Sequence, residues 1–139
     1  AHIHGIIPQT SIRLWQIFLE CAQNAQDDKV SNGYAEQIQN YVRQHYIDGF
    51  TSAQIQEACG LSYKYAGTLF KEVTGQTIKE YQCTLRLRKA EQLLKETNKS
   101  ITEIAQLTGF SDVFYFSKIF HRKKGCPPGE YRKTYIPGI

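Results

Sequence analysis

Residues 100–125 read SITEIAQLTGFSDVFYFSKIFHRKKG, and residues 51–75 read TSAQIQEACGLSYKYAGTLFKEVTG. The two stretches follow one plan. At an offset of 49, Thr51 matches Ser100, Gln54 matches Glu103, Ile55 matches Ile104, Gly60 matches Gly109, Leu61 matches Phe110 and Ser62 matches Ser111. After one extra residue in the second copy the offset becomes 50, and Tyr65, Leu69, Phe70 and Gly75 match Tyr115, Ile119, Phe120 and Gly125. Caps, glycines and apolar positions agree together, so the chain contains an internal repeat.

Each copy has the grammar of two helices joined by a tight turn. Thr51-x-x-Gln54 and Ser100-x-x-Glu103 are capping boxes that start a helix. Gly60 and Gly109 can take the left-handed conformation that ends one, and Ser62 or Ser111 then serves as a new N-cap. The second helices run to Gly75 and Gly125. Helical periodicity gives them two faces. In the first copy Ala66, Leu69, Phe70 and Val73 form the core stripe, with Lys64, Gly67, Thr68 and Lys71 on the other side. In the second, Phe116, Ile119 and Phe120 face the core, and Phe114, Ser117, Lys118 and His121 do not.

A third capping box, Thr77-x-x-Glu80, opens a stretch without Gly or Pro that reads as one connector helix over residues 77–98. Tyr81, Leu85, Leu93 and Leu94 supply its apolar face, and Ala90 allows close packing. At ~1.5 Å per residue such a helix is ~30 Å long. Upstream, Ile38, Tyr41, Val42 and Tyr46 place a helix over residues 34–46. Downstream, Pro127-Pro128 ends the second copy and starts a short helix through Tyr131. The fold predicted is all-α, about seven helices forming two helix-turn-helix subdomains (51–75 and 100–125) joined by the connector. Residues 8–28 read as a separate amphipathic helix carrying Trp15, broken from the rest by Asn32-Gly33.

Charge follows this division. Residues 1–33 hold two basic against three acidic residues, net −1, while residues 34–139 hold fifteen against ten, net +5. From residue 118 onward Lys118, Arg122, Lys123, Lys124, Arg132 and Lys133 face Glu130 alone. A surplus this local suits a polyanionic partner. The composition, 41% hydrophobic and 22% charged over 139 residues, is that of one globular domain with an attached segment. No apolar run approaches a membrane span and no secretory signal opens the chain, so the expected location is cytoplasmic. Cys21, Cys59, Cys83 and Cys126 lie far apart with no C-x-x-C pair, and read as reduced, half-buried thiols. No metal or cofactor is expected, and His2 and His4 read as a terminal tail. A P-loop, G-x-S-x-G and H-E-x-x-H are all missing, and Cys126 with His121 lacks a third orienting group, so an enzyme is not expected.

Helix-turn-helix units read duplex DNA because the second helix fits the major groove, whose base edges carry distinct hydrogen-bond patterns. Successive major-groove faces are ~34 Å apart. A ~30 Å connector has the scale to set two such helices in adjacent segments.

Residues 34–139 resemble the DNA-binding domain of the AraC/XylS family of bacterial transcription regulators. The motifs that carry the resemblance are Ile101-Thr102-Glu103-Ile104-Ala105, Gly109-Phe110-Ser111-Asp112, Tyr115-Phe116-Ser117-Lys118-Ile119-Phe120, and Pro127-Pro128 through Glu130-Tyr131-Arg132. Leu69-Phe70-Lys71 with Thr74-Gly75 carries the first unit. The sequence departs from the family at Gln56, where Ala is usual, and at Gly67, which offers little side chain for base contact. The resemblance implies base contacts from Lys64, Gly67 and Thr68 in the first unit, and from Val113, Phe114, Ser117 and Lys118 in the second. Lys71, Arg122, Lys123 and Lys124 read as phosphate anchors. It further implies an activator working with RNA polymerase, and a longer regulator whose N-terminal region, including residues 1–33, senses or forms a homodimer. The missing Met agrees with a C-terminal portion of such a regulator. The alternative is that residues 1–33 act chiefly as a dimerisation module and the first unit reads DNA weakly.

Overall fold

The computed structural model describes residues 28–134. Along them run α1 (28–45), α2 (Ser52–Cys59), α3 (Tyr63–Thr74), α4 (Ile78–Glu96), α5 (Ile101–Leu107), α6 (Val113–Lys124) and α7 (Pro128–Thr134), with no strand among the described residues. The architecture is all-α, as the sequence predicts. Up to residue 27 the helix expected over residues 8–28, with its Trp15 stripe, lies outside the described residues, as do Cys21, His2 and His4, and residue 28 opens α1.

The helix starts follow from the caps. Thr51, Thr77 and Ser100 each accept from the backbone N–H three residues on, and Gln54, Glu80 and Glu103 each reach back to the cap's own N–H. Each reciprocal pair satisfies two donors that a helix start leaves free. α3 and α6 are both twelve residues long and both end on a left-handed glycine, Gly75 and Gly125. Four details depart from the sequence-based reading. The N-cap of α6 is Asp112, not Ser111, and its carboxylate accepts from Phe114 N–H at 2.9 Å. The extra residue of the second copy thus lengthens the turn by one before the helix starts. Asn32 and Gly33 do not break the chain but lie inside α1. Both are exposed, and their helix cost, at most ~1 kcal/mol each, is outweighed by burial of Ala35, Ile38 and Val42. Val73 is 38% exposed because the last turn of α3 runs past the core. Finally, the buried side of α4 includes Leu87, while Leu85 and Leu93 are only half-buried.

Two separate cores explain that last point. The first joins Ala35, Ile38 and Val42 of α1 to Ile55, Cys59, Ala66, Leu69, Phe70, Ile78 and Tyr81. The second joins Leu87, Ala90 and Leu94 of α4 to Ile104, Ala105, Phe110, Phe116, Ile119, Phe120 and Tyr131. α4 is shared. Counting ~100° per residue, Ile78 and Tyr81 lie about half a turn around the helix from Leu87, Ala90 and Leu94. α4 therefore buries opposite sides at its two ends, and no single apolar stripe describes it.

The repeat extends further than the paired helices. Tyr81 packs on Phe70 with ring centroids 5.6 Å apart, and Tyr131 packs on Phe120 at 5.2 Å. Arg43 Nε of α1 donates to Tyr81 Oη at 3.0 Å, and Tyr131 Oη donates to Glu91 of α4 at 3.0 Å. Gln82 donates to the Tyr46 carbonyl and Arg132 to the Leu94 carbonyl. α1 thus supports the first unit as α4 supports the second, and the start of α4 closes the first unit as α7 closes the second.

Candidate nucleic-acid interface

With Ala66, Leu69 and Phe70 turned inward, α3 leaves Lys64, Thr68 and Lys71 exposed and Gly67 half-buried on its outer side. A Cβ added at Gly67 would meet nothing within 4 Å, so this helix has an open notch at its middle. The Thr68 hydroxyl donates to the Lys64 carbonyl at 3.1 Å, which leaves its oxygen lone pairs facing out. An open groove of about 410 Å³ runs beside this face, lined by Tyr63, Lys64, Thr68, Lys71, Thr77 and Lys79 among others. Lys79 comes from the first turn of α4 and is a cation that sequence reasoning missed. Its position in the connector gave no sign that the start of α4 borders the outer side of α3. At the matched position the second unit has Gly129.

α6 presents the corresponding face. Phe116, Ile119 and Phe120 are buried, while Phe114 is 82% exposed and Lys118 and Arg122 are exposed. Val113 and Ser117 are half-buried at its edge. A hollow of about 170 Å³ is lined by Tyr115, Lys118, Ile119 and Arg122. An aromatic ring this open to water carries an apolar hydration cost that a partner surface would relieve.

Of the two remaining cations at the end of α6, Lys124 is paired. Lys124 Nζ is 3.0 Å from Glu91 Oε1, the same oxygen that accepts from Tyr131. Lys123 occupies the position that Val73 holds in α3, at the end of the core-facing side. Its charge bears on Cys83 of α4. Burial pushes the Cys83 thiol above its ordinary pKa, and Lys123, Arg86 and Arg122 oppose that shift. Lys118 and Arg122 thus line one hollow, whereas Lys124 turns toward α4 and pairs with Glu91.

The turns of the two units differ. Ala105 is buried beneath the second turn. At the matched position Gln56 is exposed, and its carboxamide oxygen accepts from Tyr63 N–H at 3.3 Å. Among the described residues no group of three or more His, Cys, Asp or Glu could hold a metal ion, and no helix is long and apolar enough to cross a membrane. Cys59, Cys83 and Cys126 are free thiols, the first buried and the others half-buried.

Two similarly built helical units, each exposing one side of its second helix, define a tandem helix-turn-helix domain. A family model described as a helix-turn-helix domain matches residues 55–134, and the chain belongs to the AraC family of DNA-binding transcription regulators. It is similar to the HTH-type transcriptional activator Btr of Bacillus subtilis, 36% identical over 107 residues that make up 77% of this chain and 20% of Btr. It is also similar to the HTH-type transcriptional activator RhaR of Mannheimia succiniciproducens, 31% identical over 91% of this chain and 46% of RhaR. Among solved structures, the C-terminal domain of the two-component response regulator yesN from Fusobacterium nucleatum superposes with a TM-score of 0.64. That match has 35% identity and covers 70% of this chain and 95% of that one. The chain spans less than half the length of these two curated relatives.

Proposed function

We propose that the chain binds duplex DNA sequence-specifically by placing α3 and α6 in adjacent major-groove segments of one site. The observation that carries this reading is the repeat itself: two helices of equal length, each with an outward side of polar, cationic or apolar groups, braced on one shared helix. Nineteen residues of α4 span ~28 Å, comparable to the ~34 Å between successive major-groove faces. Because the outer sides differ in sequence, the site is asymmetric.

Base contacts are assigned to Lys64, Gly67 and Thr68 in the first unit and to Val113, Phe114, Ser117 and Lys118 in the second. Lys118 donates to guanine O6 or N7. Phe114 and Val113 pack on thymine methyls, and Thr68 and Ser117 meet base edges or phosphate. Gly67 supplies close backbone approach rather than a side chain. Lys71 and Arg122, joined by Lys79, are phosphate anchors that set register and salt dependence. Lys123 and Lys124 belong to the same basic end. Lys124 must share its charge with Glu91, so its share of binding is the smaller.

The names of Btr and RhaR, both transcriptional activators, support an activator role. RNA polymerase as the protein partner, and a homodimer formed through a region N-terminal to the described helices, are the partners that the family resemblance implies. The test is a binding selection on random duplex DNA with wild type and Lys118→Ala. The wild type should select an asymmetric site. Lys118→Ala should lose preference at one base step, at a cost of ~1–3 kcal/mol on the selected site. An unchanged preference removes Lys118 from base reading, and absence of any selected site removes the proposal.

A further inference from the structure

The two cores do not merge, so the angle between the units depends on α4 and on whatever else joins them. One side chain at the middle of α4 does so. Arg86 Nε donates to the Tyr46 carbonyl at 2.6 Å and its Nη2 to the Ile47 carbonyl at 3.3 Å. These carbonyls follow the end of α1 and belong to the first unit. The same guanidinium carbon sits 5.7 Å from the centre of the Phe110 ring, which is buried in the second core. The second unit's turn presses into this point from the other side. A Cβ built on Gly109 would collide with the Ile47 carbonyl oxygen and lie 2.9 Å from Arg86 Nε.

We infer that Arg86 is a positioning residue that locks the separation and orientation of the two DNA-reading helices. The inference rests on the bipartite reading proposed above and adds what fixes its geometry. A planar fork can satisfy two carbonyls on one edge while its face lies against an aromatic ring, which an ammonium cannot do. The group is half-buried, so it was taken out of water at a cost that its contacts with both units offset. Gly109 contributes by absence. Its bare Cα, at φ +96°, lets the second turn approach the Ile47 carbonyl directly.

A residue that merely stabilised the fold would change affinity for every DNA alike. A residue that sets geometry changes which half-site spacing is preferred. The experiment measures binding of the full chain to the selected site, and to duplexes with one base pair added or removed between its halves. Each such change shifts one half by ~3.4 Å and turns it by ~35°. Wild type should discriminate strongly against both altered spacings. Arg86→Gln should reduce that discrimination by about tenfold, within the range over which two sites are coupled through a joint. Arg86→Lys, which keeps charge and stem, is read in the same way should Arg86→Gln not fold, and it should lose discrimination too. Wild-type discrimination retained by the folded variants overturns the inference alone. A wild-type chain that binds one half-site as tightly as both overturns the bipartite reading, and this inference with it.

Discussion

Phe114 and Gly67 show how single residues separate binding from folding. Among the described residues Phe114 is the most exposed of the large apolar side chains, so Phe114→Ala should shift stability by no more than ~0.5 kcal/mol. If the ring packs on a thymine methyl, the same variant lowers affinity and relaxes a preference for thymine. Thermal melting alongside a binding selection checks both, and a large loss of stability would mean that the ring is structural. Gly67 sits mid-helix with room for a Cβ, so Gly67→Ala should stabilise the domain by ~0.5–1 kcal/mol. Its effect on DNA affinity then reports whether the notch admits the DNA backbone. Cys83 adds a pH dependence. Burial raises its pKa, so the folded state favours the neutral thiol. Its contribution to stability is present below the unfolded pKa near ~9 and declines as pH rises through the folded value. Alkylation of Cys83 at pH 8 should be slower in the native chain than in urea, and equal rates would contradict the assigned direction. Caps were legible at this scale because they depend on residues three positions apart. Asp112 was missed because Ser111 keeps the repeat register while the inserted residue moves the helix start.

At the scale of elements, α4 is where periodicity gave an incomplete answer. A single-stripe template found Tyr81, Ala90 and Leu94 but missed Leu87, since the helix changes its buried side halfway along. The division predicts local consequences. Leu94→Ala and Leu87→Ala should each cost ~2–5 kcal/mol and disturb amide resonances mainly in α5, α6 and α7. Tyr81→Ala should disturb those of α1, α2 and α3. Uniform disturbance by either set would mean that the cores are one cooperative unit. The basic end of α6 was likewise only half legible. The run of cations was visible in the sequence, but the pairing of Lys124 with Glu91, 33 residues earlier in α4, was not. Arg122→Ala should therefore flatten the salt dependence of binding by ~0.9 in log–log slope. Lys124→Ala should flatten it less, because Glu91 already neutralises that charge. Equal slopes for both variants would remove the distinction.

For the molecule as a whole, the self-match between residues 51–75 and 100–125 carried the fold, because a duplicated pattern of caps and glycines constrains both copies at once. The contacts that hold the copies in place were not legible. Arg86 reaches carbonyls 39 and 40 residues away, and Lys79 borders α3 from the next helix. Neither relation leaves a periodic trace in the chain. The central claim is that one chain reads two adjacent major-groove segments. Its most direct measurement is guanine-N7 methylation interference on the selected duplex, with the stoichiometry of the complex determined at the same salt concentration. The account predicts two interfering clusters ~10 base pairs apart on one side of the duplex, in a complex of one chain per site. A single cluster per chain, or two clusters only when two chains are bound, would contradict it.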